Sequence, residues 1–167
     1  RVSAFEKDLL TGRILKALNP HDSVTIDGFE TIKPELKGTF DVATSNIPFG
    51  DIKVMDDEYR KSGNDAKRYA VSTIHNYFFL KALDQVREGG FVAFITSRGF
   101  MDSPSNNPIR EELARNARLV GAFRLPDGMF RDEAGTDVGA DLVVLQKYTG
   151  YDMSLDPDTQ AFCDVNT

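Results

Sequence analysis

The chain has 167 residues, 41% hydrophobic and 28% charged, the balance of a globular domain with a sizeable core and not of a disordered or fibrous chain. Its formal net charge of -6 excludes a protein that holds nucleic acid by overall charge alone, so any such contact needs a local patch or another domain. The single cysteine, Cys163, excludes an internal disulfide, and His21 and His75 form no ligand spacing, so no metal is expected. No apolar run approaches the roughly 18 to 20 residues of a membrane span, and RVSAFEKDLL lacks the layout of a signal peptide; the expectation is a cytoplasmic protein.

Val2–Phe5 reads as a short strand ending at Glu6, and Lys7–Leu18 as a helix with Leu10, Ile14, Ala17 and Leu18 at helical spacing, stopped by Asn19-Pro20. Val24–Ile26 and Phe40–Thr44 are the next strands. Residues 51–69 keep no period and carry Arg60, Lys61, Lys67 and Arg68, so a mobile surface loop is expected. A helix over Ala70–Arg87 closes at Gly89-Gly90, followed by a strand over Phe91–Ile95, a helix over Pro108–Asn116 and strands over Leu119–Leu125 and Asp141–Gln146. The last two strands are joined by a loop alone, which predicts an antiparallel pair at one sheet edge. The pattern is that of an α/β sandwich without repeat, low-complexity segment or second domain.

Ligands of open α/β sheets bind beyond the carboxyl ends of the strands. Glu6 ends the first strand, Glu30 follows the second, and FDVATSNIPFGD (residues 40–51) runs from a strand into a polar turn. A carboxylate at a strand end suits a pair of ribose hydroxyls, although a glutamate opening a helix is equally favoured by the helix dipole. Asn46 offers an amide acceptor and two donors, Pro48 stiffens the backbone, and Phe49 presents a ring face, a set suited to gripping a planar amino-bearing group.

Asn46-Ile47-Pro48-Phe49 resembles the Asn-Pro-Pro-Phe/Tyr motif of S-adenosylmethionine-dependent amino methyltransferases. The segments EKDLLTGRI, DGFETI, FDVATSNIPFGD, HNYFFLKALDQVREGGFVAFITS, FRLPDGMF and DLVVLQK, in that order, resemble the N6-adenine DNA methyltransferases of bacterial mobile elements and restriction-modification systems. Position 47 is Ile where the motif has its first Pro, but the backbone carbonyl used there survives the change. The family's Phe-x-Gly-x-Gly loop has no counterpart ahead of Glu6. A segment truncated before that loop is therefore expected, its sheet lacking the first strand and its own affinity for S-adenosylmethionine weak.

The resemblance implies a Rossmann-like class I methyltransferase sandwich, mostly parallel with an antiparallel C-terminal pair, over residues 1–150, with a tail over 151–167. It implies S-adenosylmethionine as cofactor, with Glu6 on the ribose hydroxyls, Glu30 on the adenine amino group and Asn46 shared by both substrates. It further implies DNA as partner, with an extruded adenine whose amino group is held by the Asn46 side chain and the Ile47 carbonyl, backed by Pro48 and stacked on Phe49. Phe29 or Ile32 packs on the cofactor ring or in the core, His75 in a His-Asn pair packs a helix, and Arg124 orders the loop that follows it. Related motifs serve guanine N2 in RNA and glutamine amides in proteins, and a non-catalytic module stands as a further alternative.

Overall fold

The structure is a computed structural model that describes residues 1–48, 50, 52–126, 139–150 and 156–164. Phe49 lies outside the described residues. Contacts divide the chain into two compact units, Arg1–Leu36 and Lys37–Thr167. No helix among the described residues is long and apolar enough to cross a membrane.

In the first unit, β1 (Ser3–Phe5) pairs in parallel with β2 (Ser23–Thr25), and α1 (Leu9–Leu18) makes the crossover. Asp8 caps α1 by accepting from the Thr11 N–H at 2.7 Å, and that bond holds its carboxyl below the usual carboxylate range. A side chain at Gly12 would come within 3.0 Å of Ile26, so glycine lets the helix approach the segment after β2. Leu10, Ile14 and Leu18, which helical spacing marks as one apolar face, are 69%, 52% and 74% exposed.

In the second unit the sheet order is β3-β4-β6-β5, with β3 at Phe40–Asn46, β4 at Val86–Ser97, β5 at Ala117–Arg124 and β6 at Ala140–Lys147. β3 and β4 are parallel, while β6 is antiparallel to both β4 and β5. The expected antiparallel pair is present, with β5 outermost. One sheet face carries Val92, Phe94, Val143 and Leu145, all buried. Helix α4 (Ile74–Gln85) packs on it through Phe78 and Phe79, whose rings meet Phe94 edge-on, while α6 (Asn107–Asn116) packs along β5. On the opposite face the register aligns Val42 with Phe91, Thr44 with Ala93, and Asn46 with Ile95 and Leu142. None of these residues is buried.

Two expectations change. The helix expected over Ala70–Arg87 ends at Gln85, and Gly89-Gly90 belongs to β4. Lys147 donates to the carbonyls of Leu83 and Val86 at 2.8 and 2.9 Å, satisfying the helix end that a glycine cap would otherwise serve. Gly90 is needed elsewhere: a Cβ there would stand 2.9 Å from the carbonyls of Arg87 and Asp41, where the β3–β4 register shifts. The expected mobile loop contains α2 (Asp57–Arg60) and α3 (Asp65–Ala70), capped by the side chains of Asp56 and Asn64; helices this short leave no period to read. Within residues 151–167, α7 (Pro157–Cys163) packs on α6 and β5, and its Thr159 hydroxyl accepts the Leu119 N–H at 2.9 Å.

Candidate active site

β3 runs to Asn46, two residues past the expected end. Asn46 is exposed on the open sheet face, and its side-chain amide makes no hydrogen bond among the described residues. Ile47 is fully buried and donates its N–H to the Ile95 carbonyl at 2.9 Å. A proline there would lose this bond, which accounts for isoleucine at the position. The Ile47 carbonyl accepts no hydrogen bond from a described residue. Pro48 is exposed, and Gly50 has φ 137°, a conformation that side chains rarely allow. The turn thus presents two acceptors, the Asn46 Oδ1 and the Ile47 carbonyl, at the carboxyl end of a parallel strand.

A cleft of about 320 Å³ lies beside this turn, lined by Gly50, Tyr69, His75, Ser97, Ser103 and Asn106 among others, with no charged side chain among its described lining. Its far wall is the turn of α5 (Gly99–Asp102). Asn76 Nδ2 donates to Asn106 Oδ1, and Asn106 Nδ2 to the Gly99 carbonyl, each at 2.9 Å. The buried Arg110 guanidinium donates to the carbonyls of Phe100 and Ser103 at 2.6 and 3.2 Å and also to Asn107. Burial pulls its pKa down, yet the bonded carbonyls make it a rigid clamp on the turn. Arg124 ties β5 to Asp141 on β6 at 2.9 and 3.1 Å and to Asp102 of α5 at 2.7 Å. The loop it was expected to order lies outside the described residues.

The segment after the motif is held by buried charge. Asp56 accepts from Lys81 Nζ at 2.9 Å, the Tyr77 hydroxyl at 2.7 Å and the Tyr59 N–H at 3.0 Å. Burial pushes its carboxyl up, but these donors outweigh burial and leave it below the usual carboxylate range. Tyr59 has Lys67 and Lys81 over its ring at 5.0 and 5.1 Å and gives its hydroxyl to Asp84 at 2.8 Å. Burial and Asp84 raise its phenol pKa.

Glu6 and Glu30 belong to the first unit. One Glu6 oxygen accepts the Asp8 N–H at 2.8 Å, while the other accepts no bond from a described residue. Glu30 pairs with Lys7 at 3.2 Å, and its carboxylate folds over Gly28, where a Cβ would meet it at 2.2 Å. Phe29 meets Phe5 edge-on at 5.9 Å, and Ile32 is buried, the core reading of both.

The family model of the Eco57I restriction-modification methylases matches residues 7–127, well over half of the chain. The chain belongs to this family. It is 35% identical over 149 residues to the Defense against restriction protein B of Escherichia phage P1, a match covering 88% of this chain and 6% of that relative. Among solved structures, a modification subunit of a putative type I restriction enzyme from Vibrio vulnificus covers 86% of this chain and 32% of its own, with TM-score 0.69 at 18% identity. A putative class I S-adenosylmethionine-dependent methyltransferase from Listeria monocytogenes covers 93% of this chain and 46% of its own, with TM-score 0.71 at 20% identity. The fold is that of the class I methyltransferases, and the cofactor of such a methylase is S-adenosylmethionine. Glu6 keeps one carboxylate oxygen without a partner among the described residues, the acceptor a ribose hydroxyl would need, whereas Glu30 is already engaged by Lys7.

Sequence reasoning passed over Tyr69, Ser97 and the Asp56–Lys81 pair. Ser97 was within reach, because it ends a strand at the ligand-binding edge of the sheet. The ion pair was not, since nothing local links residues 56 and 81.

Proposed function

We propose that this chain is the amino-clamping part of an S-adenosylmethionine-dependent methyltransferase that modifies the N6 amino group of adenine in DNA, acting in the cytoplasm within a longer protein. Residues 1–150 belong to its catalytic domain. The observation that carries this reading is the pair of acceptors at the end of β3, Asn46 Oδ1 and the Ile47 carbonyl, which have no partner among the described residues. The restriction-modification family supports DNA as the substrate.

Adenine N6 is a poor nucleophile because its lone pair is delocalised into the ring. Acceptors fixed on its two hydrogens favour the pyramidal, partly positive nitrogen of the transition state over the planar ground state, and as preorganised dipoles they need no titration. The cofactor supplies an electrophilic sulfonium methyl group. As the new N–C bond forms, the methyl–sulfur bond would break with its electron pair left on a neutral thioether, and N6 would give up one proton, which neither clamp atom is basic enough to keep and which would pass to solvent. A base inside a duplex cannot reach this turn, so it is extruded at a cost of a few kcal/mol, which stacking on Phe49 offsets by roughly 1 to 3 kcal/mol. In this reading Glu6 receives the ribose hydroxyls, Glu30 has the weaker role toward the cofactor's adenine, and Pro48 sets the turn.

The test is single-turnover methyl transfer by the full-length protein with labelled S-adenosylmethionine on DNA, RNA and protein. Transfer to DNA adenine is expected, and Asn46→Ala should lower the rate by roughly 100-fold or more while changing DNA and cofactor affinity little. Label on RNA guanine or on a glutamine amide instead would refute the adenine reading.

A further inference from the structure

The cleft beside the clamp contains a hydrogen-bonded relay that the mechanism above does not use. His75, 6% exposed, lies between two hydroxyls: Thr96 Oγ1 at 2.9 Å from Nδ1 and Ser97 Oγ at 3.4 Å from Nε2. Thr96 is fully buried and its hydroxyl has no other partner among the described residues. A buried O–H left without an acceptor is costly, so Thr96 donates to Nδ1. A neutral imidazole that accepts at Nδ1 carries its proton on Nε2, and Nε2–H therefore donates to Ser97 Oγ. Ser97 has no further hydrogen bond among the described residues and lines the cleft. The relay leaves the Ser97 O–H as a donor turned to whatever occupies the cleft.

We propose that Ser97 reads the extruded base by donating a hydrogen bond to one of its ring nitrogens, with His75 and Thr96 as positioning residues. The inference rests on the adenine reading and deepens it. The hydroxyls of Ser97, Ser103 and Ser105, the Asn106 amide and the Tyr69 ring in the described lining suit a heteroaromatic ring with polar edge atoms. A clamp on the exocyclic amine alone leaves the ring nitrogens without a contact; a second contact at one of them fixes the position of the ring.

The experiment uses the full-length protein in single turnover on DNA carrying adenine, 1-deazaadenine, 3-deazaadenine or 7-deazaadenine at the target position. Wild type should slow roughly 3- to 10-fold on one analogue, the one lacking the acceptor that Ser97 faces. Ser97→Ala should slow by a similar factor on adenine and lose nothing further on that analogue, while still slowing on the other two. Thr96→Val, which keeps shape and burial, should show a weaker loss with the same analogue signature; a merely structural role would slow all four substrates alike. If wild type methylates adenine but Ser97→Ala is without effect, or its loss multiplies with every deaza change, the relay proposal is wrong and the adenine reading stands. Transfer to RNA guanine overturns the adenine reading alone and moves the same comparison to deazaguanines. Transfer only to a glutamine amide, which has no ring nitrogen, or no transfer at all, overturns both.

Discussion

Ile47 separates two tasks that one residue performs. Its buried side chain and its N–H to the Ile95 carbonyl stabilise the strand end, while its own carbonyl accepts no hydrogen bond from a described residue. Ile47→Pro keeps the carbonyl, removes the donor and shrinks a fully buried side chain. A loss of roughly 2 to 4 kcal/mol in denaturant unfolding is expected. Methyl transfer per folded molecule should fall far less than in Asn46→Ala, so the two variants distinguish a structural loss from a catalytic one. An Ile47→Pro protein as stable as wild type would show that the ladder bond contributes nothing.

At the scale of elements, the segment that holds Asp56 is fastened to α4 by the Asp56–Lys81 pair, with both side chains 4% exposed. Replacing Lys81 by Met removes the partner and leaves a buried carboxylate uncompensated, at an expected cost of about 3 to 5 kcal/mol. The pH dependence has a definite sign. The folded-state pKa of Asp56 is depressed, so its contribution to stability is complete above the unfolded value of about 3.9 and is lost as pH falls through the lower folded value. In Lys81→Met the raising effect of burial remains while the main lowering partner is gone. Acid unfolding should then begin at a higher pH than in wild type, as read from denaturant midpoints between about pH 3 and 7. A parallel, merely downshifted stability curve would mean that Lys81 is not what holds Asp56 ionised.

At the scale of the whole molecule, the two units differ in their means of support. Arg1–Leu36 has strands of 3 residues, a helix of 10, and only Gly12, Gly28 and Ile32 buried. A segment below about 40 residues with so little core does not fold alone. Expressed as a peptide, it should give a coil-like circular dichroism spectrum without a cooperative melt. Residues 37–167, which contain the aromatic core of Phe79, Phe94 and Phe100, should retain a cooperative transition. A cooperative melt of the short peptide would contradict this division.

The order of the strands and of α1, α4 and α6, the antiparallel final pair and the polar turn after β3 were legible in the sequence, because periodicity, proline, glycine and a short motif are local properties of neighbouring residues; the short helices α2, α3, α5 and α7 were not. Element ends were not. α4 stops at Gln85 because Lys147, far along the chain, satisfies its last carbonyls, and β3 extends to Asn46 because β4 offers it a partner. The chemistry divides along the same line. Asn46 and Glu6 could be named as candidates from residue type and position at strand ends. The cleft, the Thr96–His75–Ser97 hydrogen bonds and the buried Asp56–Lys81 pair depend on contacts between residues distant in sequence, and only the folded chain brings those side chains within hydrogen-bonding distance.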